Sequence, residues 1–467
     1  MAKAGIEVSP GISIYFSHEN AKGEEGVIVT MCLPSKAMQR LQRGWEGKQA
    51  TKYIHKRTPH SLKPTITFLN FYSSDLVFTV RRRQPELVTP SKPTPREFKP
   101  LSDIDDQDGF RYHVPLVLFY PFRPNTMVGK NKRKDPAHVI KMALAKTLGF
   151  YYPFAGRLRE GPERKLVVDC GAQGVLFVEA DADVTLDQFG HLQPLFPCFQ
   201  ELLYKVPDSE GIIDCPLLHI QVTRLKCGGF IFALRMNHTM CDGSEEKETQ
   251  HTIQRSFFFG PTEIAAIREL LPYHLRDQCT KFELLTASLW RCRTTALQLQ
   301  PNDDVRLMCA INARGKTKGG LEIPEGYYGN AIVFPAVVTT AGKLTGGNSI
   351  GHALELVKKV KGEISEEYVQ SVADLMAIRG RPGFTTARSW TVSNVTRVGF
   401  RDVDFGWGKA VFGGVAKAVG GAFPGMSYYF SHENAKGEEG VVVTICLPSK
   451  AMERFIQEMD DMLNEKA

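Results

Sequence analysis

Residues 216–225 and 229–237 alternate apolar and polar positions with a period of two on either side of Lys226-Cys227-Gly228-Gly229. That pattern predicts a β-hairpin. In its second strand Phe230, Phe232, Leu234 and Met236 share one face, and His238 continues that face at the strand's end. Elsewhere the period shifts to that of a helix. Asp135-Pro136 supplies an N-cap and a proline at the first helical position, Ile140, Ala143, Leu144, Thr147 and Leu148 form the stripe, and Gly149 is the expected C-cap. Residues 282–292 and 350–360 predict further helices. Residues 441–446 predict a strand, followed by a helix on which Met452, Phe455, Ile456, Met459 and Leu463 share a side. From Ser74 onward the chain therefore predicts a mixed α/β fold of at least two layers.

The same C-terminal pattern occurs twice. Residues 11–40 repeat residues 425–454 with differences only at positions 12, 14, 28, 31 and 39. A functional tandem array recurs at a short fixed period, whereas these copies lie 414 residues apart. The first copy keeps the strand pattern but loses its helix after Leu41, and residues 42–72 are polar, basic and aperiodic. One supersecondary unit alone cannot bury its apolar face. Residues 1–72 are thus expected to be an appended segment outside the fold, with a regulatory extension as the other reading.

Composition narrows the partners. The chain has 467 residues and a formal net charge of +7. Ten Lys/Arg against five Asp/Glu in residues 1–72 account for +5 of that, so the body is nearly neutral and offers no basic face for nucleic acid. No apolar run approaches the roughly 18 residues that span a bilayer, and no signal-peptide pattern opens the chain. Ten scattered cysteines with no C-x-x-C pair read as reduced thiols rather than disulfides or a metal site. The expectation is a cytoplasmic monomer that binds neither membrane, nucleic acid nor metal.

Two motifs carry candidate chemistry. In His238-Thr-Met-Cys-Asp242-Gly243, an imidazole held at a strand end against apolar neighbours could take a hydroxyl proton as the oxygen attacks an acyl carbon, then return it to a leaving thiolate. Asp242 could bind the ring or anchor the turn. Taken alone, the hexapeptide fits a structural histidine capping a strand better than a base. Cys241 is a weaker candidate nucleophile, because no second histidine is placed to activate it. The other motif, Asp404-Phe405-Gly406-Trp407-Gly408, predicts a tight turn that exposes backbone and one large ring.

Together, and in this order, these motifs resemble the plant BAHD acyltransferase family. Tyr152-Pro-Phe-Ala-Gly-Arg157, Tyr328-Gly-Asn330, the helix from Phe282 to Arg291, residues 76–83 and residues 98–107 resemble it as well. The resemblance implies two chloramphenicol-acetyltransferase-like domains with mixed sheets and a channel between them. One spans residues 73–245, joined by 405–428, and the other spans 255–467. It implies acyl transfer from an acyl-CoA, a co-substrate rather than a cofactor, to the hydroxyl of a small alcohol, with His238 as general base. Asp242 would support the site's geometry, as would the turn of Gly406, Trp407 and Gly408. Asp404 would pair with Arg314 of the second domain, and Asn330, Ser389 and Trp390 would line the channel.

The sequence departs from the family in two places: residues 1–72 precede the point where family members begin, and the more serious departure follows the first motif. After Gly243 comes Ser-Glu-Glu-Lys-Glu-Thr-Gln-His-Thr, with no apolar residue until Ile253. Family members carry an amphipathic helix and a long crossover there, so about 40–50 residues are missing. Losing a core helix exposes apolar surface at about 25 cal/mol per Å², comparable in sum to a domain's net stability. The competing expectation is therefore an inactive or unstable product of gene fusion and deletion.

Overall fold

The structure is a computed structural model. It describes residues 13–19, 25–31, 76–123, 135–190, 192, 199–204, 211–240, 252–314, 323–324, 326–347, 349–362, 364–380, 382, 388–416, 426–434 and 436–464.

Two seven-stranded mixed sheets form the body. The first runs in the order Phe412–Val415, His113–Tyr120, Phe230–Asn237, Leu218–Leu225, Val175–Ala182, Val80–Arg82, with Glu86–Val88 also on Val175–Ala182. The hairpin expected around residue 228 forms as Leu218–Leu225 and Phe230–Asn237, in antiparallel register from Leu218 opposite Met236 to Arg224 opposite Phe230. Its turn needs Gly228, at φ +82°, and Gly229, where a Cβ would stand 2.5 Å from the Tyr120 carbonyl oxygen. The second sheet runs Thr252–Phe259, Glu439–Pro448, Ser427–Glu433, Ser389–Asn394, Asp304–Asn312, Ile332–Val333, with Ala336–Thr340 also on Asp304–Asn312. Chain order and sheet membership interleave. Phe412–Val415 pairs with His113–Tyr120 in the first sheet, and Ser427–Glu433 pairs within the second.

Alternation along the strands sorts side chains between two apolar clusters. Tyr429, Val443, Ile445 and Leu447 face the helices Lys281–Ala296 and Ser449–Asn464, whose Trp290 and Phe455 are buried in the same cluster. Tyr428, Phe430 and Val442, on the opposite face, join Phe232, Leu234 and Met236 of the first sheet. One apolar cluster therefore spans both sheets next to the end of the Phe230–Asn237 strand. Period-two burial on both faces is what a sheet covered on each side requires.

The helix Pro136–Thr147 starts as expected, with Asp135 accepting from the His138 N–H at 3.1 Å and proline at the first position. Its end differs from expectation. Leu148, not Gly149, is the cap, in right-handed geometry, because its N–H still reaches the Leu144 carbonyl at 2.9 Å.

The duplicated hairpin keeps its register in both copies. Tyr15 faces Val29 and Glu19 faces Glu25, as Tyr429 faces Val443 and Glu433 faces Glu439. Their settings differ: the C-terminal copy lies inside the second sheet, whereas among the described residues Ser13–Glu19 and Glu25–Met31 pair with each other alone, beside the helix Pro136–Thr147. Residues 42–72 lie outside the described residues.

Candidate active site

His238 sits where the sequence pattern places it, one residue past the strand Phe230–Asn237 in the short turn His238–Met240, and is 1% exposed. The turn is local in origin, since the Asn237 carboxamide oxygen accepts from the Thr239 N–H at 3.1 Å and from its hydroxyl at 2.8 Å. The His238 peptide is held from two directions. Its N–H donates to the Tyr112 carbonyl at 2.8 Å, and its own carbonyl accepts from Asn330 Nδ2 at 2.8 Å. The ring is held as well: Phe110 stacks on it with centroids 4.3 Å apart and planes at 11°, and Tyr112 meets it edge-on at 5.3 Å.

Phe110 and Tyr112 come from a segment that leads into the strand His113–Tyr120. Arg111, between them, pairs with the fully buried Asp106 at 2.7 Å and with Glu160 at 3.0 Å. Anchoring the middle residue outward leaves its two neighbours facing the imidazole.

Arg314 and Asn330 meet at the site from the second domain. The Arg314 guanidinium donates to the Gly329 and Tyr327 carbonyls and lies over the Tyr327 ring at 5.9 Å. It thereby braces the segment that delivers the Asn330 amide to His238. Asn330, expected along a channel, is 1% exposed and acts through hydrogen bonds on the backbone.

The Asp404–Gly408 turn is elsewhere and works differently from expectation. Among the described residues Asp404 makes no ion pair with Arg314. Its Oδ1 accepts from the Gly406 N–H at 2.7 Å and the Gly408 N–H at 2.8 Å, so the carboxylate closes its own turn. Gly406 and Gly408 stand at φ +96° and +84°, where a side chain would be strained. The turn's rings grip the strand that carries the histidine. Phe405 packs on Phe232 at 5.0 Å, and Trp407 meets Phe230 edge-on at 5.5 Å. Tyr120, whose hydroxyl donates to the Val403 carbonyl at 3.0 Å, has its pKa pushed well above the usual phenol value by burial and then by the nearby Asp404 charge.

Ser389 and Trp390 are not brought to the histidine. Trp390 is 1% exposed in the helix-facing cluster of the second domain, with its ring N–H donating to Ser427 Oγ at 2.9 Å. Ser389 Oγ accepts from Arg306 at 3.3 Å. Trp390 thus belongs to the apolar interior of its domain, and Ser389 is tied to the neighbouring strand. Asp242 and Gly243 lie outside the described residues.

Sequence reasoning missed Phe110, Tyr112 and Asp105. None belongs to a periodic segment, and their partners are distant in sequence. Among the described residues no group of three His, Cys, Asp or Glu side chains could hold a metal ion, and no helix is long and apolar enough to cross a membrane.

The chain has clear relatives. A benzyl alcohol O-benzoyltransferase of Nicotiana tabacum is 53% identical over 450 aligned positions, which cover 85% of this chain and 96% of the relative. One of Petunia hybrida is 52% identical with the same coverage. The crystal structure of vinorine synthase superposes with a TM-score of 0.63 at 18% identity, over 83% of this chain and all of that one. It shares the two-domain mixed α/β fold. The model of the transferase family matches residues 78–249 and 244–462, and the chain accordingly belongs to that family, the BAHD acyltransferases.

Proposed function

We propose that this protein transfers an acyl group from an acyl-CoA thioester to the hydroxyl of a small alcohol, giving an ester and free CoA, with His238 as general base. The observation that carries the proposal is the constraint on His238: its peptide is tied at both N–H and carbonyl, and its ring lies against Phe110 and Tyr112. A neutral imidazole so held can accept the alcohol proton as the oxygen attacks the thioester carbon. The tetrahedral intermediate then expels CoA thiolate, and the imidazolium returns the proton to sulfur. Holding the base in one geometry reduces the entropy cost of reaching the transition state. The tobacco and petunia relatives are named for benzyl alcohol and a benzoyl group, so an aromatic alcohol and an aromatic acyl-CoA are the substrates to try first. The reaction needs no metal or cofactor, and we place it in a single chain in the cytoplasm. The test is thiol release from benzoyl-CoA with and without benzyl alcohol. Release should require the alcohol. Alcohol-independent release would reject the proposal.

A second reading has its own support. The family model is matched in two pieces that meet at residues 244–249, and 450 aligned positions use only 85% of this chain but 96% of the relative. The relative thus carries residues this chain lacks, and the break falls where the sequence pattern fails. On this reading the protein is an interrupted, inactive member of its family. Restoring the tobacco segment between Ser244 and Ile253 would then create activity the original chain lacks. Equal rates before and after would dismiss it.

A further inference from the structure

Asp105 is 5% exposed, and both of its oxygens are engaged. Oδ1 accepts from the Asn330 backbone N–H at 2.5 Å and from Asn330 Nδ2 at 2.8 Å. Oδ2 accepts from Ser102 Oγ and from the Tyr327 hydroxyl, each at 2.6 Å. The contact joins the loop ahead of the strand His113–Tyr120 to a segment of the second domain 225 residues away. Asn330 Nδ2 has two hydrogens. One goes to Asp105 and the other to the carbonyl of His238.

A carboxamide has nearly the same shape in either orientation, and its hydrogen-bond partners decide which one is adopted. Here the carboxylate decides. If the amide were turned over, its oxygen would face both the Asp105 carboxylate and the His238 carbonyl, opposing acceptor to acceptor twice. With Asp105 in place, only the orientation that donates to His238 is stable, and a charged acceptor makes these bonds stronger than neutral ones. Among the described residues no Lys or Arg pairs with Asp105, so its charge rests on neutral donors. A buried carboxylate without a cation costs desolvation, a cost that a neutral residue would avoid.

We infer that Asp105 is a positioning residue for the general base, acting through the Asn330 amide on the peptide of His238. The inference rests on His238 being that base. Asp105 orients the amide, the amide holds the carbonyl, and the carbonyl fixes the backbone from which the imidazole projects onto Phe110.

The test uses the full chain with ¹³C-labelled histidine and reads the His238 ring signal, assigned by its loss in His238→Gln. Stacking 4.3 Å from Phe110 places the ring protons in that aromatic face's shielding region, so the wild-type signal should lie upfield. Asp105→Ala and Asn330→Ala should each move it toward the free-imidazole position while the His113 and His219 signals stay put. The double variant should move it no further than Asn330→Ala alone. In turnover, kcat should fall about tenfold to a hundredfold with little change in KM for acyl-CoA. An unmoved His238 signal, or additive shifts in the double variant, would overturn the inference. Should Asp105→Ala fail to fold, the isosteric Asp105→Asn decides the question. It should move the signal in the wild-type background and leave it unmoved on top of Asn330→Ala; any other pattern rejects the inference. The ring signal does not depend on turnover, so an inactive chain would count against the general-base proposal and leave this reading to be judged on the spectrum.

Discussion

The Phe110 ring lies face to face with the imidazole of His238, with centroids 4.3 Å apart and planes only 11° apart. Phe110 is 1% exposed and ends a short helical turn, Asp108–Phe110, that leads into the strand beside the histidine's own. It fixes the plane of the imidazole.

Phe110→Leu keeps most of the apolar volume but removes the flat face. The expected result is a kcat lower by about tenfold or more, since small misplacements of a catalytic group are costly. Stability should fall by about 1–2 kcal/mol, as for an imperfect apolar exchange. Steady-state thiol release together with thermal melting checks both. Unchanged kcat in a folded Phe110→Leu protein would show that the stack does not orient the base.

Asp404→Ala removes one acceptor from two backbone N–H groups. Bonds to a charged acceptor contribute about 1.5–3 kcal/mol each where buried. Asp404 is half-buried, so the total expected is about 2 kcal/mol. The turn grips Phe230 and Phe232 rather than the imidazole, so melting should fall more than kcat per folded molecule. Asp404→Asn keeps an acceptor and should recover most of the loss. A normally melting Asp404→Ala protein that has lost only turnover would contradict this.

Two other histidines make stability depend on pH. His113 and His219 lie on the two strands of the first sheet that flank Phe230–Asn237, with ring centroids 5.1 Å apart, and both ring Nε2 atoms face the Pro216 carbonyl. Burial, then the mutual charge of His219 and the charge of Arg235, lowers the His113 pKa to about 3. Burial, then Arg235, lowers that of His219 to about 4. In the unfolded chain both titrate near about 6.5. Between these values the unfolded state binds more protons, so the stability contributed by the neutral rings is complete above about pH 6.5. It is lost as pH falls toward the folded values. From pH 7 to 5 each ring should lose about 2 kcal/mol. His219→Gln should flatten this slope in denaturant titrations at several pH values. An unchanged slope would mean that His219 is not buried as described.

Much of this arrangement was legible in the sequence, for physical reasons that differ by element. The strand that delivers His238 announces itself through Phe230, Phe232, Leu234 and Met236, because period two is a property of the strand alone. The C-terminal helix does so through Met452, Phe455 and Met459, all buried on one side. Phe110 and Asp105 carry no such signal. Their roles arise from contacts 128 and 225 residues away along the chain, and no local spacing encodes those. Asp404 shows the converse error. The expected partner was a distant cation, yet an aspartate two and four residues before glycines can satisfy itself locally, as aspartates in turns often do. Trp390 was placed along a channel by resemblance alone, and its burial against the helices of the second domain had no signal in the spacing of its neighbours.

The central claim is that His238 removes the alcohol proton. The most direct measurement is alcohol-dependent thiol release from an acyl-CoA by wild type and by His238→Ala, both confirmed to be folded and to bind acyl-CoA equally. Losing a general base lowers the rate by about 10²–10⁴-fold, and the account predicts a fall in that range while acyl-CoA binding persists. Equal rates in the two proteins would contradict it.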